Sequence, residues 1–484
     1  RPDHVDVEQA PELRRRRLEE RRRLDHACRG YERIETAPYR ADLLERLDGR
    51  RLVGHVELDR EPVRDPGLLE TGVGAGPERY PIARPLTARE RGEVVDPVVP
   101  RDVLPLDRSP RPALGREAPL ESHHYQGTYM VDLAQEVVAA HGDKFLKISE
   151  DEAITALSDF GLERMLASIR HSAAALRVNF DCWFSEKSLY EDGTFDRVMA
   201  SLRGANRTIV RDGAEWLLTS EYGADRDEVL VRSSGQPGYY ASDVAYHYNK
   251  FVLRGFDRVV DVWAVDHQNQ ARRMPYLMQA LGLDPQRLDI LLYDMVRLYR
   301  DGKEVKLSKR SGDIITIDEV VDEVGADAVR FLLLTRSNQT VIDFDLNLAV
   351  QQNDENPVFY VQYAHARMAS ILRTAAERGF EHASWANGDL ALLGHPSEMT
   401  LLRKIAELPE IVEKAAVQLA PHNLAFYAQE LAAVFHAFYR DCRVLSSDPA
   451  DTELSRARLR LVAATKAVFA TVLGLLGVTA PESM

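Results

Sequence analysis

Cysteine is scarce in these 484 residues, with only Cys28, Cys182 and Cys442, all far apart. An odd number without ligand spacing excludes a disulfide framework and a cysteine-based zinc site, and it suits a reducing cytoplasm. Long apolar runs are also missing. The longest, Ala467 to Val478, is too short to span a bilayer and reads as a buried helix, so no membrane role is expected. Residues 1–124 lack far more: they contain no Lys, Phe, Trp, Met or Asn, yet hold more than half of the chain's 23 prolines and are crowded with arginine.

Two readings of residues 1–124 follow. Prolines such as Pro97, Pro100, Pro105, Pro110, Pro112 and Pro119 interrupt any regular element, which fits a disordered extension. The same composition is what GC-rich coding DNA yields when translated out of frame. From Tyr125 the composition becomes that of an ordinary globular protein, and the length suits about three domains. The expected division is 1–124, an α/β unit over 125–346 and an all-α unit over 347–484. The net charge of −14 requires that any nucleic-acid contact use a local basic surface.

Within the α/β unit, Tyr129–His141 and Glu150–Val178 carry apolar residues at three- and four-residue spacing (Ile154, Leu157, Phe160, Leu166, Ile169), which predicts amphipathic helices. Phe180 to Glu186 reads as a short aromatic strand. Glu215–Thr219 and Val229–Arg232 read as paired strands. Tyr239 and Asp243, four apart on a predicted helix, share a face and can aim a phenol and a carboxylate into one pocket, a pairing that suits a guanidinium. A plain alternative makes Asp243 a helix-terminus residue and Tyr239 a core residue. Arg258–Ala264 is a β-branched run typical of a parallel strand, so Asp266 and His267 just past its end stand where open α/β sheets present ligands.

Asp301-Gly302 between two short runs predicts a tight hairpin with both residues at positive φ. The hairpin leads into Lys306-Leu307-Ser308-Lys309-Arg310-Ser311-Gly312, where two ammonium groups three residues apart, a hydroxyl and a glycine suit a polyphosphate. A solvated basic turn is the alternative. Pro357–Ala375, Leu401–Leu419, Asn423–Val444 and Leu454–Leu476 read as four amphipathic helices of a bundle. Arg367, Arg373, Arg403, Lys404, Arg440 and Arg443 are candidates for a basic face on it.

From Tyr125 onward the chain resembles the arginine–tRNA ligases (arginyl-tRNA synthetases) of bacterial type, a class I family. Phe180-Asp181-Cys182-Trp183-Phe184-Ser185-Glu186 with Ser188-Leu189-Tyr190 is similar to the family's FDVWFSE…SLY, and Tyr239 to His247 to YFAADIAYH. Lys306 to Arg310 is similar to the class I KMSKS loop. Gly325 to Phe331, Asp343-Phe344-Asp345 and Asn356 to Arg367 also follow family text. The resemblance implies a Rossmann-like catalytic domain, its first half missing or abnormal here, followed by a helical anticodon-binding domain. It implies ATP with Mg²⁺, arginine and tRNA(Arg) as partners of a monomer. It further implies Lys306, Ser308 and Lys309 in catalysis, Met295, Val296, Lys306 and Lys309 at ATP, and Tyr239, Asp243, Asp266 and His267 at arginine, with no protein metal site. Two departures stand out. Ala264 to Asn269 replaces a segment near GADHHG, and the H-x-G-H signature is absent, Val53-Gly54-His55 offering only a G-H pair. A truncated, tRNA-binding protein without ligase activity is therefore the alternative expectation.

Overall fold

A computed structural model describes residues 128–305 and 315–484. The expectations for residues 1–124, and for Lys306, Ser308 and Lys309, lie outside the described residues.

Helix α1 (Thr128–His141) packs on α2 (Glu150–Ala175) through Met130, Leu133, Val137 and Leu157. A capping box starts α2: the Ser149 hydroxyl accepts from the Glu152 amide, and the Glu152 carboxylate accepts from the Ser149 amide. The apolar stripe predicted along α2 is only partly used. Its covering cluster ends at Phe160, and Ile169 is left 53% exposed. Phe180 to Glu186 forms no strand, in contrast to the sequence pattern. Its aromatic side chains are held by helices instead, Phe184 stacked on Tyr246 at 4.6 Å and Trp183 beneath the Arg170 guanidinium at 5.0 Å, and no neighbouring strand among the described residues supplies ladder partners.

After α3 (Thr194–Gly204), strands β1 (Thr208–Arg211), β2 (Ala214–Leu217) and β3 (Glu228–Val231) form an antiparallel sheet in that order. Next come α4 (Tyr239–Tyr248), prolonged by one wider turn over Asn249–Leu253, and then β4 (Val259–Ala264). Helix α5 (Met274–Ala280) returns the chain so that β5 (Leu288–Tyr293) pairs parallel to β4. Along β4, Val259 and Asp261 are buried, whereas Val260 and Val262 on the other face are 36% and 59% exposed.

The hairpin follows, with β6 (Val296–Arg300) and β7 (Lys303–Glu304) joined at Asp301 (φ 52°) and Gly302 (φ 70°), the predicted mirror-image turn. On its other edge β6 pairs parallel with β8 (Ile342–Asp345). Among the described residues the parallel pairs belong to two separate sheets.

Helix α6 (Ile317–Val324) starts at a capping box from Thr316 and Glu319 and stops at Gly325, and α7 (Ala326–Leu333) follows at once. The helical domain comprises α8 (Pro357–Glu377), α9 (Pro396–Ala406), α10 (Leu408–Val417), α11 (His422–Asp441) and α12 (Thr452–Leu476). One helix was expected over Leu401–Leu419, but the chain breaks at Glu407, because Pro409 has no amide to continue the ladder. By length and apolar composition α12 is sufficient to cross a membrane, yet Val462, Val468, Phe469 and Val472 are fully buried against Phe331, Phe435 and Phe438 in one core.

Asp327 on α7 ties the two domains together. It accepts from Arg177 at 2.6 Å, from Gln362 of α8 at 2.8 Å and from the Thr479 amide at 3.1 Å, and the Thr479 hydroxyl also donates to it. Arg177 and Arg330 close the knot by donating to the Gly477 and Leu476 carbonyls at 2.7 and 2.9 Å. Burial pushes the Asp327 carboxyl up, but the bonds from Thr479, Arg177 and Gln362 outweigh it, so the group lies below its ordinary value. Its stabilisation is therefore present above the ordinary carboxyl value of 3.8 and is lost as pH falls through the lower folded value. Asp327→Asn should cost about 1–3 kcal/mol in urea unfolding at neutral pH, with the gap between variant and wild type closing in acid.

Candidate active site

The site gathers at the carboxyl end of β4, where a 3₁₀ turn over Val265–His267 leaves the sheet. Helix α4 reaches it through a close approach that only glycine permits: a Cβ on Gly238 would lie 2.8 Å from the Val229 carbonyl oxygen. Gly238 is also the N-cap, and no side chain caps the helix, so Asp243 is not a helix-terminus group. Nor is Tyr239 a core residue, for it is 67% exposed.

Gln270, which the sequence reading did not single out, joins the predicted residues. Its Nε2 donates to Asp243 Oδ2, and its Oε1 lies 3.3 Å from His267 Nδ1. Asp266 stands apart, 77% exposed, with its carboxylate 3.8 Å from His267 Nε2. The only sequence signal for Gln270 was its place immediately after the replaced GADHHG segment, and no residue periodicity marks it. Glu186, inside the aromatic segment, also sends its charge into the pocket.

Burial lifts the Asp243 carboxyl to about 6; the His247 charge and the Gln270 amide pull it down, Glu186 raises it and Lys250 lowers it. Behind it, buried Asp261 of β4 accepts from Lys250 Nζ at 2.6 Å and lies 2.8 Å from His247 Nε2, while His247 Nδ1 lies 2.8 Å from the Asp243 carbonyl oxygen. Burial would raise Asp261, but these two partners hold it below its ordinary value. With His247 and Lys250 engaged by Asp261, the donor that the described residues give the Asp243 carboxylate is a neutral amide. The arrangement suits a planar cation.

Met295 is 65% exposed and Val296, 37% exposed, opens β6 opposite Ile342. The segment bearing Lys306, Ser308 and Lys309 is anchored on both sides, by the Val305 amide on the Leu298 carbonyl at 2.8 Å and by the Thr316 cap of α6. No group of three His, Cys, Asp or Glu side chains suited to a metal occurs among the described residues.

On the helical domain a cleft of about 250 Å³ is lined by Asp354, Phe359, Tyr360, Tyr363 and His436. Tyr363 stacks on Phe359 and on His436, and the Arg367 guanidinium lies 4.8 Å from the Tyr439 ring. Of the other basic candidates, Lys404 is bound to Glu407 and Glu430, Arg440 to Asp441 and Arg373 to the Glu482 carbonyl, so these three serve internal contacts.

The family model for the catalytic domain of tRNA synthetases class I (R) matches residues 130–369, and that for the DALR anticodon binding domain matches residues 361–484. The fold is that of a class I synthetase, a catalytic domain followed by a helical one. An arginyl-tRNA synthetase structure from Campylobacter jejuni superposes with a TM-score of 0.70 at 30% identity, over 78% of this chain and 80% of that one. The arginine–tRNA ligase of Dehalococcoides mccartyi is 50% identical over 372 residues, and that of Heliobacterium modesticaldum 45% over 375, each alignment covering 77% of this chain. The Thermus thermophilus arginyl-tRNA synthetase shares the fold at a TM-score of 0.61. The chain belongs to the arginine–tRNA ligase family, and it spans 66% of the length of these curated relatives.

A carboxyl raised in the folded state stabilises it fully below the ordinary 3.8 and loses that contribution as pH rises through about 6. Asp243→Asn should therefore raise the melting temperature at pH 7.5, by an amount equivalent to about 2 kcal/mol. The advantage should shrink as the buffer is taken toward pH 4.

Proposed function

We propose that this chain carries the arginine and tRNA sites of an arginine–tRNA ligase, the kind of enzyme that converts ATP and arginine to arginyl-adenylate and pyrophosphate and passes the arginyl group to the terminal ribose of tRNA(Arg), and that catalysis by it waits on an H-x-G-H element. The observation that carries the reading is Asp243, a half-buried carboxylate on the helix that opens at Tyr239, which accepts from the neutral Gln270 amide whose oxygen lies 3.3 Å from His267 Nδ1. A guanidinium there would replace neutral donors by charge-assisted, bidentate ones. Asp266, 77% exposed, would serve the same substrate from the rim. Residues 125–346 would form the catalytic unit and residues 347–484 the unit that reads tRNA, working as a monomer in the cytoplasm.

Catalysis needs no side-chain nucleophile, because the arginine carboxylate attacks the α-phosphate directly. The protein's part is positioning and charge stabilisation. Lys306 and Lys309, with Ser308 in support, would hold the triphosphate as negative charge moves onto pyrophosphate, and Met295 and Val296 would back the nucleotide. Mg²⁺ would travel with the ATP phosphates. Unpaired bases of tRNA suit the aromatic cleft at Tyr363 and His436, with Arg367 at its side.

A second reading, tRNA binding without ligation, rests on two observations. No H-x-G-H is present to grip ATP opposite the lysine loop, and the Val260 and Val262 face of the parallel pair is uncovered among the described residues, where such sheets are normally covered on both sides.

The expected outcome is that the 484-residue chain binds tRNA(Arg) but gives no arginine-dependent ATP–pyrophosphate exchange. Exchange should appear once residues 1–124 are replaced by an upstream segment carrying H-x-G-H, sought by reading the encoding DNA in its other two frames. Exchange by the chain as it stands would assign an ATP-binding element to residues 1–124. In the active enzyme, Lys309→Ala should lower turnover by about 10²–10³, and a loss confined to ATP affinity would make the loop a ground-state clamp.

A further inference from the structure

Gln270 touches two of the four residues assigned to the amino-acid pocket. Its amide nitrogen donates to Asp243 and its amide oxygen lies 3.3 Å from His267 Nδ1. It is contributed by the short helix Gln268–Ala271 that follows the turn at the end of β4, while Tyr239 and Asp243 come from α4, so it also bridges the two elements that form the pocket walls. A carboxamide is suited to this because it donates with one end and accepts with the other without carrying charge. It steadies a carboxylate and leaves that carboxylate's charge for a ligand.

We propose that Gln270 is a specificity-determining positioning residue, fixing the Asp243 carboxylate and the His267 ring in the orientation that receives a guanidinium. The inference rests on the reading of this pocket as an arginine site. A guanidinium presents donors in one plane, and a carboxylate keeps lone pairs free on both oxygens after accepting a single amide proton. Gln270 can therefore stay in place while Asp243 takes the ligand in a bidentate manner. A lysine or arginine at position 270 would instead neutralise Asp243 permanently and close the site to cations.

The groups facing Asp243 are His247 and Lys250 from α4 and its extension, Glu186 from the aromatic segment, and Tyr239, besides Gln270 itself. Gln270 favours the ionised form of Asp243, the form that holds a cation. Its removal should weaken cation binding and also move the pH at which binding fails, a second effect that simple loosening of the fold would not produce.

The test is calorimetric titration of L-arginine into the full chain between pH 5 and 8, for wild type, Gln270→Ala and Gln270→Glu, with thermal melts of each. We expect Gln270→Ala to bind about tenfold more weakly at neutral pH and to lose binding at a higher pH than wild type. Gln270→Glu should be weaker still and shifted further, because it sets a second negative charge beside Asp243. Wild-type binding with both variants unchanged in affinity and pH midpoint would overturn the role of Gln270 while leaving the arginine site intact. A uniform loss without a midpoint shift, matched by lower melting temperatures, would reduce Gln270 to a packing residue. Absence of arginine binding by wild type, with tRNA binding retained, would overturn the arginine reading of the pocket and this inference with it.

Discussion

Asp327 brings four stretches distant in sequence to one carboxylate: the turn after α2, helix α7, helix α8 and the tail beyond α12. The two arginines nearby use main-chain carbonyls as their other partners, so the knot fixes backbone as well as side chains. The knot works alongside a shared apolar core, in which Leu298, Phe331 and Phe344 pack with residues of α8, α11 and α12. The tail past Gly477 is drawn into the same region, with His365 of α8 against the Pro481 carbonyl and Lys466 paired to Glu482.

The pocket has its own depth of organisation. Asp261 engages both His247 of α4 and Lys250 of its extension, so the carboxylate that faces outward, Asp243, is left to a neutral amide. Two acids on neighbouring elements thus have opposite environments. One is satisfied and held low; the other is buried enough to be lifted and is ready for a cationic partner.

What could be read from the sequence follows the range of the forces involved. The Asp301-Gly302 turn depends on residues a few positions apart and is present as expected; the capping boxes of α2 and α6 and the stop at Gly325 are local in the same way. The same holds for Tyr239 and Asp243, whose shared face is set by helical spacing. Gln270 could not be found this way, since its partners are brought to it by the packing of α4 against β4. The aromatic run at Phe180 misled for the related reason that strand character requires a neighbouring strand, and here helices hold the side chains. The break at Pro409 was legible in principle, and the periodic apolar pattern across it masked the missing amide.

The exposed face of the β4–β5 pair also bears on how such a chain fares in a cell. Val260 and Val262 lie on a strand that has a hydrogen-bonded neighbour on one side only among the described residues, and β-branched side chains beside unpaired amides make a template for other extended chains. The helical domain shares its core with Leu298, Val320, Phe331 and Phe344 of the catalytic part, so its persistence depends on that part. The catalytic half would then be a standing invitation to strand addition, so that chaperone retention and self-association, rather than loss of chemistry, would set how much of this polypeptide remains dissolved.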